Sequence, residues 1–79
     1  MRLDKYLKVS RIIKRRSVAN DACDAGRVSL NGKAAKAGAD VKVGDVVEIQ
    51  FGSNNTKFEI LQVKDVVRKE DTAQMYRMM

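Results

Sequence analysis

An α+β fold, two short helices packed on a small and mostly antiparallel sheet, follows from three features of this sequence. Apolar residues recur at helical spacing through about the first 25 positions and switch to alternation after Gly26. An Asn-Gly dipeptide sits just beyond the switch, where a tight hairpin would turn. The 79 residues, 44% hydrophobic and without proline, suffice for one core and show no linker, repeat or low-complexity tract.

Leu3, Tyr6, Leu7 and Ser10 share one side of a helix expected near residues 2–9, while Arg2, Lys5 and Lys8 take another side. Asp4 and Lys8 stand four apart with the acid first, the order that favours an ion pair along a helix. Tyr6 lies at the apolar phase, so it reads as core rather than as a platform for a base. In "RIIKRR", Ile12 and Ile13 plug a turn into the interior. A second helix is expected from residue 16 or 17 to 25, with Val18, Ala19, Ala22, Cys23 and Ala25 as a small-residue face that lets helices approach closely. Cys23 there reads as core rather than as a reactive thiol. Gly26 supplies the left-handed stop. Val28 and Leu30 then enter a hairpin that turns at Asn31-Gly32. A second turn at Val43-Gly44-Asp45 leads into Val47, Ile49 and Phe51, alternating with Glu48 and Gln50 as in a half-buried strand. After "GSNN", Phe58, Ile60, Leu61 and Val63 form a further strand. Met75, Met78 and Met79 recur at helical spacing behind acidic residues, which predicts a short C-terminal helix or a frayed tail, its methionines forming a packing face.

Charge is unevenly spread. Sixteen Lys and Arg against ten Asp and Glu give a net +6, but residues 1–36 hold ten basic and three acidic side chains, a net of +7, and residues 37–79 six basic and seven acidic, a net of −1. Such segregation attracts polyanions: nucleic acid, an anionic membrane or an acidic protein, the plain alternative being a solvated face kept for solubility. "KVSRIIKRR", Lys8 to Arg16, concentrates five of the cations. A single Cys and no His leave no zinc cluster and no histidine acid/base pair, so neither an enzyme nor a metal or other cofactor is expected. No apolar run approaches the roughly 20 residues of a membrane span and no signal-peptide core opens the chain, which points to a cytoplasmic protein.

Arg2-Leu3-Asp4 with Leu7, Arg16 with Ala19, Gly26-Arg27-Val28 with Asn31-Gly32, and Val41 with Gly44-Asp45 follow, in order, the frame R-L-D-x-x-L, R-x-x-A, G-R-V-x-x-N-G, V-x-x-G-D. On these residues the chain resembles the S-four domain, the helix-helix-hairpin RNA-binding module also called the alpha-L motif. In length and layout it is similar to the RqcP family of ribosome-quality-control proteins, stand-alone relatives of the fifteen-kilodalton heat-shock protein. Where many S-four domains carry a hydroxyl to cap the second helix, this chain has Arg15, which leaves Ser17 as the alternative cap.

The resemblance implies an S-four-like RNA-binding domain over residues 1–51 and, over 52–79, a strand and helix extending the same domain. It implies an RNA surface formed by the first helix, the turn and the start of the second helix. The candidate RNA-binding residues are Arg2, Lys5, Lys8, Arg11, Lys14, Arg15 and Arg16, extended from the hairpin by Arg27, Lys33 and Lys36, with Arg2, Arg11 and Arg16 best suited to phosphate because a guanidinium binds it bidentately. Asn31 reads as a turn residue. The implied partners are large-subunit rRNA, peptidyl-tRNA on stalled large subunits and a NEMF-family tailing factor, in support of C-terminal alanine tailing, the protein being a monomer when free. Alternatives are a recycling factor for obstructed large subunits and the RNA-targeting module of an RNA-modifying enzyme. A polybasic membrane-surface module lacks the large apolar moment that such helices carry beside their cations.

Overall fold

Helix α1 (Leu3–Val9) forms where its apolar spacing predicts, and Leu3, Tyr6 and Leu7 are wholly buried. The computed structural model describes all of residues 1–79. The α1 helix ends in a turn that places Arg11 at φ 63°, with its N–H donating to Lys8 O at 3.1 Å and the Ile13 N–H to Leu7 O at 3.1 Å. Ile13 is buried and Ile12 half-buried, so the turn is seated as expected. Helix α2 (Arg16–Asp24) buries Ala19, Ala22 and Cys23. Val18 and Ala25, expected on that face, are exposed: they sit on its margin, where α1 does not reach. Gly26 follows at φ 76°, the left-handed conformation that ends the helix.

The sheet is antiparallel throughout, in the order β2-β1-β3-β4-β5: β1 (Val28–Leu30), β2 (Lys33–Ala34), β3 (Val46–Phe51), β4 (Asn54–Ile60) and β5 (Tyr76–Met78). Register sets Val28 opposite Ile49 and Val47 opposite Phe58, so all four lie on one face, and all four are fully buried beneath the helices. The β1–β2 hairpin turns through Asn31 (φ 53°) and Gly32 (φ 86°), both left-handed as a type I′ turn requires. Asn31 also joins two turns, because its side chain donates to Asp45 Oδ1 (3.1 Å) and accepts from the Val46 N–H (2.9 Å).

The last third departs from expectation. The fourth strand stops at Ile60, and Leu61 and Val63 lie outside it. A 3-10 helix (Lys69–Gln74) precedes β5, which pairs with β4 through Phe58↔Met78 and Ile60↔Tyr76. Of the three methionines only Met75 is buried; Met78 and Met79 are exposed. Its carbonyl accepts hydrogen bonds from the Tyr6 hydroxyl (2.8 Å) and from the Leu61 (2.7 Å) and Gln62 (3.1 Å) N–H groups, fastening the C-terminal segment to α1. Tyr6 is thus core, stacked 6.5 Å from Phe58. Met1, Leu3 and Asp4 bond the loop of small residues between β2 and β3: Leu3 N–H donates to Ala39 O and Val41 N–H to Met1 O.

Candidate nucleic-acid interface

Asp4 organises the basic surface. Its carboxylate is 2% exposed and accepts from five donors: Arg2 Nε (3.2 Å) and the Lys5 N–H (2.8 Å) on Oδ1, and Arg2 Nη2 (3.4 Å), Arg16 Nε (3.3 Å) and Asn20 Nδ2 (3.3 Å) on Oδ2. The expected Asp4–Lys8 pair does not form, because Asp4 turns toward α2 while Lys8 stays in solvent. Burial pushes the carboxyl upward, but hydrogen bonds from Asn20, Arg16, the Lys5 amide and Arg2 outweigh it and hold Asp4 below the ordinary carboxylate range. Asp4 therefore remains charged at neutral pH and orients two arginines whose side chains are about half exposed, at 54% and 49%.

Arg2, Asp4, Arg16, Ser17, Asn20 and Asp21, none of them hydrophobic residues, line one open hollow at the start of α2. Arg16 engages Asp4 through Nε, and its terminal nitrogens make no hydrogen bond within the protein. The first residue before α2 is Arg15, whose side chain makes no capping hydrogen bond, and the alternative cap at Ser17 is absent too. The exposed N–H groups of that helix end, with their positive dipole, favour an anion beside Arg16.

The other expected residues fall into three groups. Lys8, Arg11, Lys14 and Arg15 are exposed along α1 and the turn, continuous with this hollow in sequence and unpaired with any acid. Lys5 is committed elsewhere, its Nζ lying 3.2 Å from Asp65 Oδ1. Arg27 stands at the start of β1, while Lys33 in the edge strand β2 and Lys36 just beyond it are exposed and make no hydrogen bond or ion pair with the Arg2–Arg16 group. Asp4 and Asn20 are the residues that sequence reasoning missed as members of the site. A signal for Asn20 was present, since it follows Arg16 by one helical turn. Cys23 takes no part: burial, and then Asp4 and Asp24, push its thiol up to about 11, which leaves it unreactive.

The S4 domain model matches residues 1–47, the segment that contains this hollow. A protein of Streptococcus pneumoniae named RQC P-site tRNA stabilizing factor is 57% identical over 96% of this chain and 86% of its own length. One of the same name in Bacillus subtilis is 50% identical over 96% of this chain and 88% of its own. The solved heat shock protein 15 of Vibrio cholerae superposes with a TM-score of 0.92 at 31% identity, covering all of this chain and 81% of that one. With the motif, the fold and nearly the full length shared, the chain belongs to the S4 domain family, in the group formed by these RQC P-site tRNA stabilizing factors.

Proposed function

We propose that this protein acts by binding alone, holding the P-site tRNA on large ribosomal subunits that retain peptidyl-tRNA after stalling, and so supports C-terminal alanine tailing by a NEMF-family partner. The observation that carries the reading is the pair Arg2 and Arg16, braced on the buried Asp4 at an uncapped helix end, in a chain whose relatives are named for stabilizing P-site tRNA. RNA helices present backbone and 2′-hydroxyls rather than readable major-groove edges, so a rigid cationic surface suits them by shape. Lys8, Arg11, Lys14 and Arg15 extend the contact along the phosphate backbone, and Arg27, Lys33 and Lys36 lengthen it from the hairpin side. No helix is long and apolar enough to cross a membrane, in keeping with a site on the ribosome.

Co-sedimentation with large subunits carrying peptidyl-tRNA tests this directly. If about five or six cations meet phosphates, log K falls with log salt at roughly 0.7 to 0.9 per contact. At one fixed salt concentration, Arg16→Ala should cost about 1.5–3 kcal/mol of binding and Arg68→Ala, which removes the same charge from outside the site, well under about 1 kcal/mol. Folding should persist in Arg16→Ala, since Arg2 and Asn20 still serve Asp4, and circular dichroism checks it. Equal losses in the two variants would reduce the interaction to net charge and defeat the proposed site.

A further inference from the structure

The apolar face of the sheet outruns the helices that cover it. Strand β3 places Val47, Ile49 and Phe51 on one face, and the first two are fully buried, but Phe51 is 41% exposed. Beside it Val18, on the margin of α2, is 45% exposed. Phe51 and Val18 are shared by two adjoining hollows, one also lined by Ile12, Lys14 and Arg15, the other by Asp21, Ala25 and Arg27. The result is an aromatic shelf with three cations and one acid on its rim. Lys14, Arg15 and Arg27 enter none of the protein's ion pairs, whereas Arg2, Lys5 and Arg16 each have an acidic partner.

An occupant of this shelf must offer a flat apolar surface and negative charge close together. An unpaired nucleotide has both: the base to lie on the ring, the phosphate to meet a rim cation. An acidic amphipathic helix has them too, but it anchors several large side chains spaced over two turns, whereas the two hollows share one aromatic ring, Phe51, among smaller or half-buried apolar side chains and three cations, which matches one flat base with its phosphates. The shelf is also continuous with the surface described above, because Lys14 and Arg15 form its rim and lead directly into Arg16. We propose that Phe51 and Val18 receive an unpaired base of the bound RNA, with its flanking phosphates at Lys14, Arg15 and Arg27. This rests on the RNA-binding reading and adds to it a second subsite that recognises a single-stranded or bulged position rather than duplex backbone.

The protein contains no tryptophan, so Phe51→Trp introduces one fluorophore at the shelf. The probe is a labelled RNA stem carrying a short unpaired loop, compared with the same stem bearing abasic loop positions and with a blunt duplex. Anisotropy of the label reports binding, and tryptophan emission reports stacking. The loop RNA should quench the emission and the abasic RNA should not, while Phe51→Ala should weaken loop binding by roughly 5- to 100-fold and leave duplex binding within about twofold. Binding by anisotropy with equal emission for loop and abasic RNA would overturn the subsite and leave the RNA-binding reading intact. Failure of every RNA to bind would overturn both. Emission that responds to an acidic amphipathic peptide, and not to the loop RNA, would assign the shelf to a protein and overturn the proposal.

Discussion

Asp4 is a single residue that serves the fold and at the same time braces the candidate binding surface. A carboxylate 2% exposed is costly unless its lone pairs are filled, and here two guanidiniums, an amide side chain and a backbone N–H fill them. Its folded pKa lies below the unfolded value of about 3.9, so its stabilisation is fully present above that value and is lost as pH falls through the lower folded one. Asp40, held down by the N-terminal ammonium 2.7 Å away, acts in the same direction at the surface. Urea unfolding should therefore show a midpoint that drops on acidification below about pH 4, and Asp4→Asn should lose about 1–3 kcal/mol at pH 7 and flatten that acid limb. Wild-type stability at pH 7 in the variant would refute this account of Asp4. The same substitution raises the net charge by one unit, so simple electrostatics favours tighter RNA binding; because Arg2 and Arg16 lose their brace, binding should instead weaken several-fold, to about 1 kcal/mol. Tighter binding would mean that orientation is irrelevant.

At the scale of elements, the turn joining α1 to α2 places a charged residue where a glycine would be easier. Arg11 stands at φ 63°, the left-handed position that commonly closes a helix, and its Cβ is strained there by roughly 1–2 kcal/mol. Glycine would relieve that strain and return part of the gain as greater freedom of the unfolded chain. Arg11→Gly should thus leave stability unchanged or raise it by up to about 1 kcal/mol in denaturant unfolding, while filter binding shows RNA affinity reduced by about 1 kcal/mol. A variant destabilised by more than that would show that Arg11 supports the turn through its side chain. The expected dissociation of stability from binding is the mark of a residue kept for its charge on an exposed turn.

For the whole molecule, one core is shared by the two ends of the chain. Leu3, Tyr6 and Leu7 of α1 lie in the same cluster as Phe58 and Ile60 of β4 and Met75. Tyr6 reaches the Met75 carbonyl across 69 positions, and Lys5 meets Asp65 across 60. The two N-terminal helices and the C-terminal strand should therefore unfold together. Met75→Ala should cost about 2–5 kcal/mol, as large-to-small changes in cores do, and reduce secondary structure of the N-terminal half in the same transition. Met78→Ala, at 57% exposure, should shift stability by about 0.5 kcal/mol or less. Thermal unfolding followed by both circular dichroism and tyrosine fluorescence measures this, and non-coincident transitions would contradict a single cooperative unit.

Local rules explain what was legible in the residues themselves. Helical spacing placed Tyr6 and Leu7 inside, alternation placed Val47 and Ile49, Gly26 and Asn31-Gly32 marked their turns through positive φ, and the crowding of cations before α2 marked a solvent-exposed basic stretch. Each of those signals acts within a few residues, or through a motif of fixed spacing. The tertiary structure decided the rest: that Asp4 serves Arg2, Arg16 and Asn20 instead of Lys8, that Lys5 is occupied by Asp65, that the methionine-rich end becomes a 3-10 helix and a strand, and that Phe51 emerges uncovered. All four depend on groups brought together from different elements. A carboxylate chooses the donors that can follow it into a buried site over an exposed lysine one turn away, and a weak helical pattern yields to an open strand edge whose backbone groups need partners.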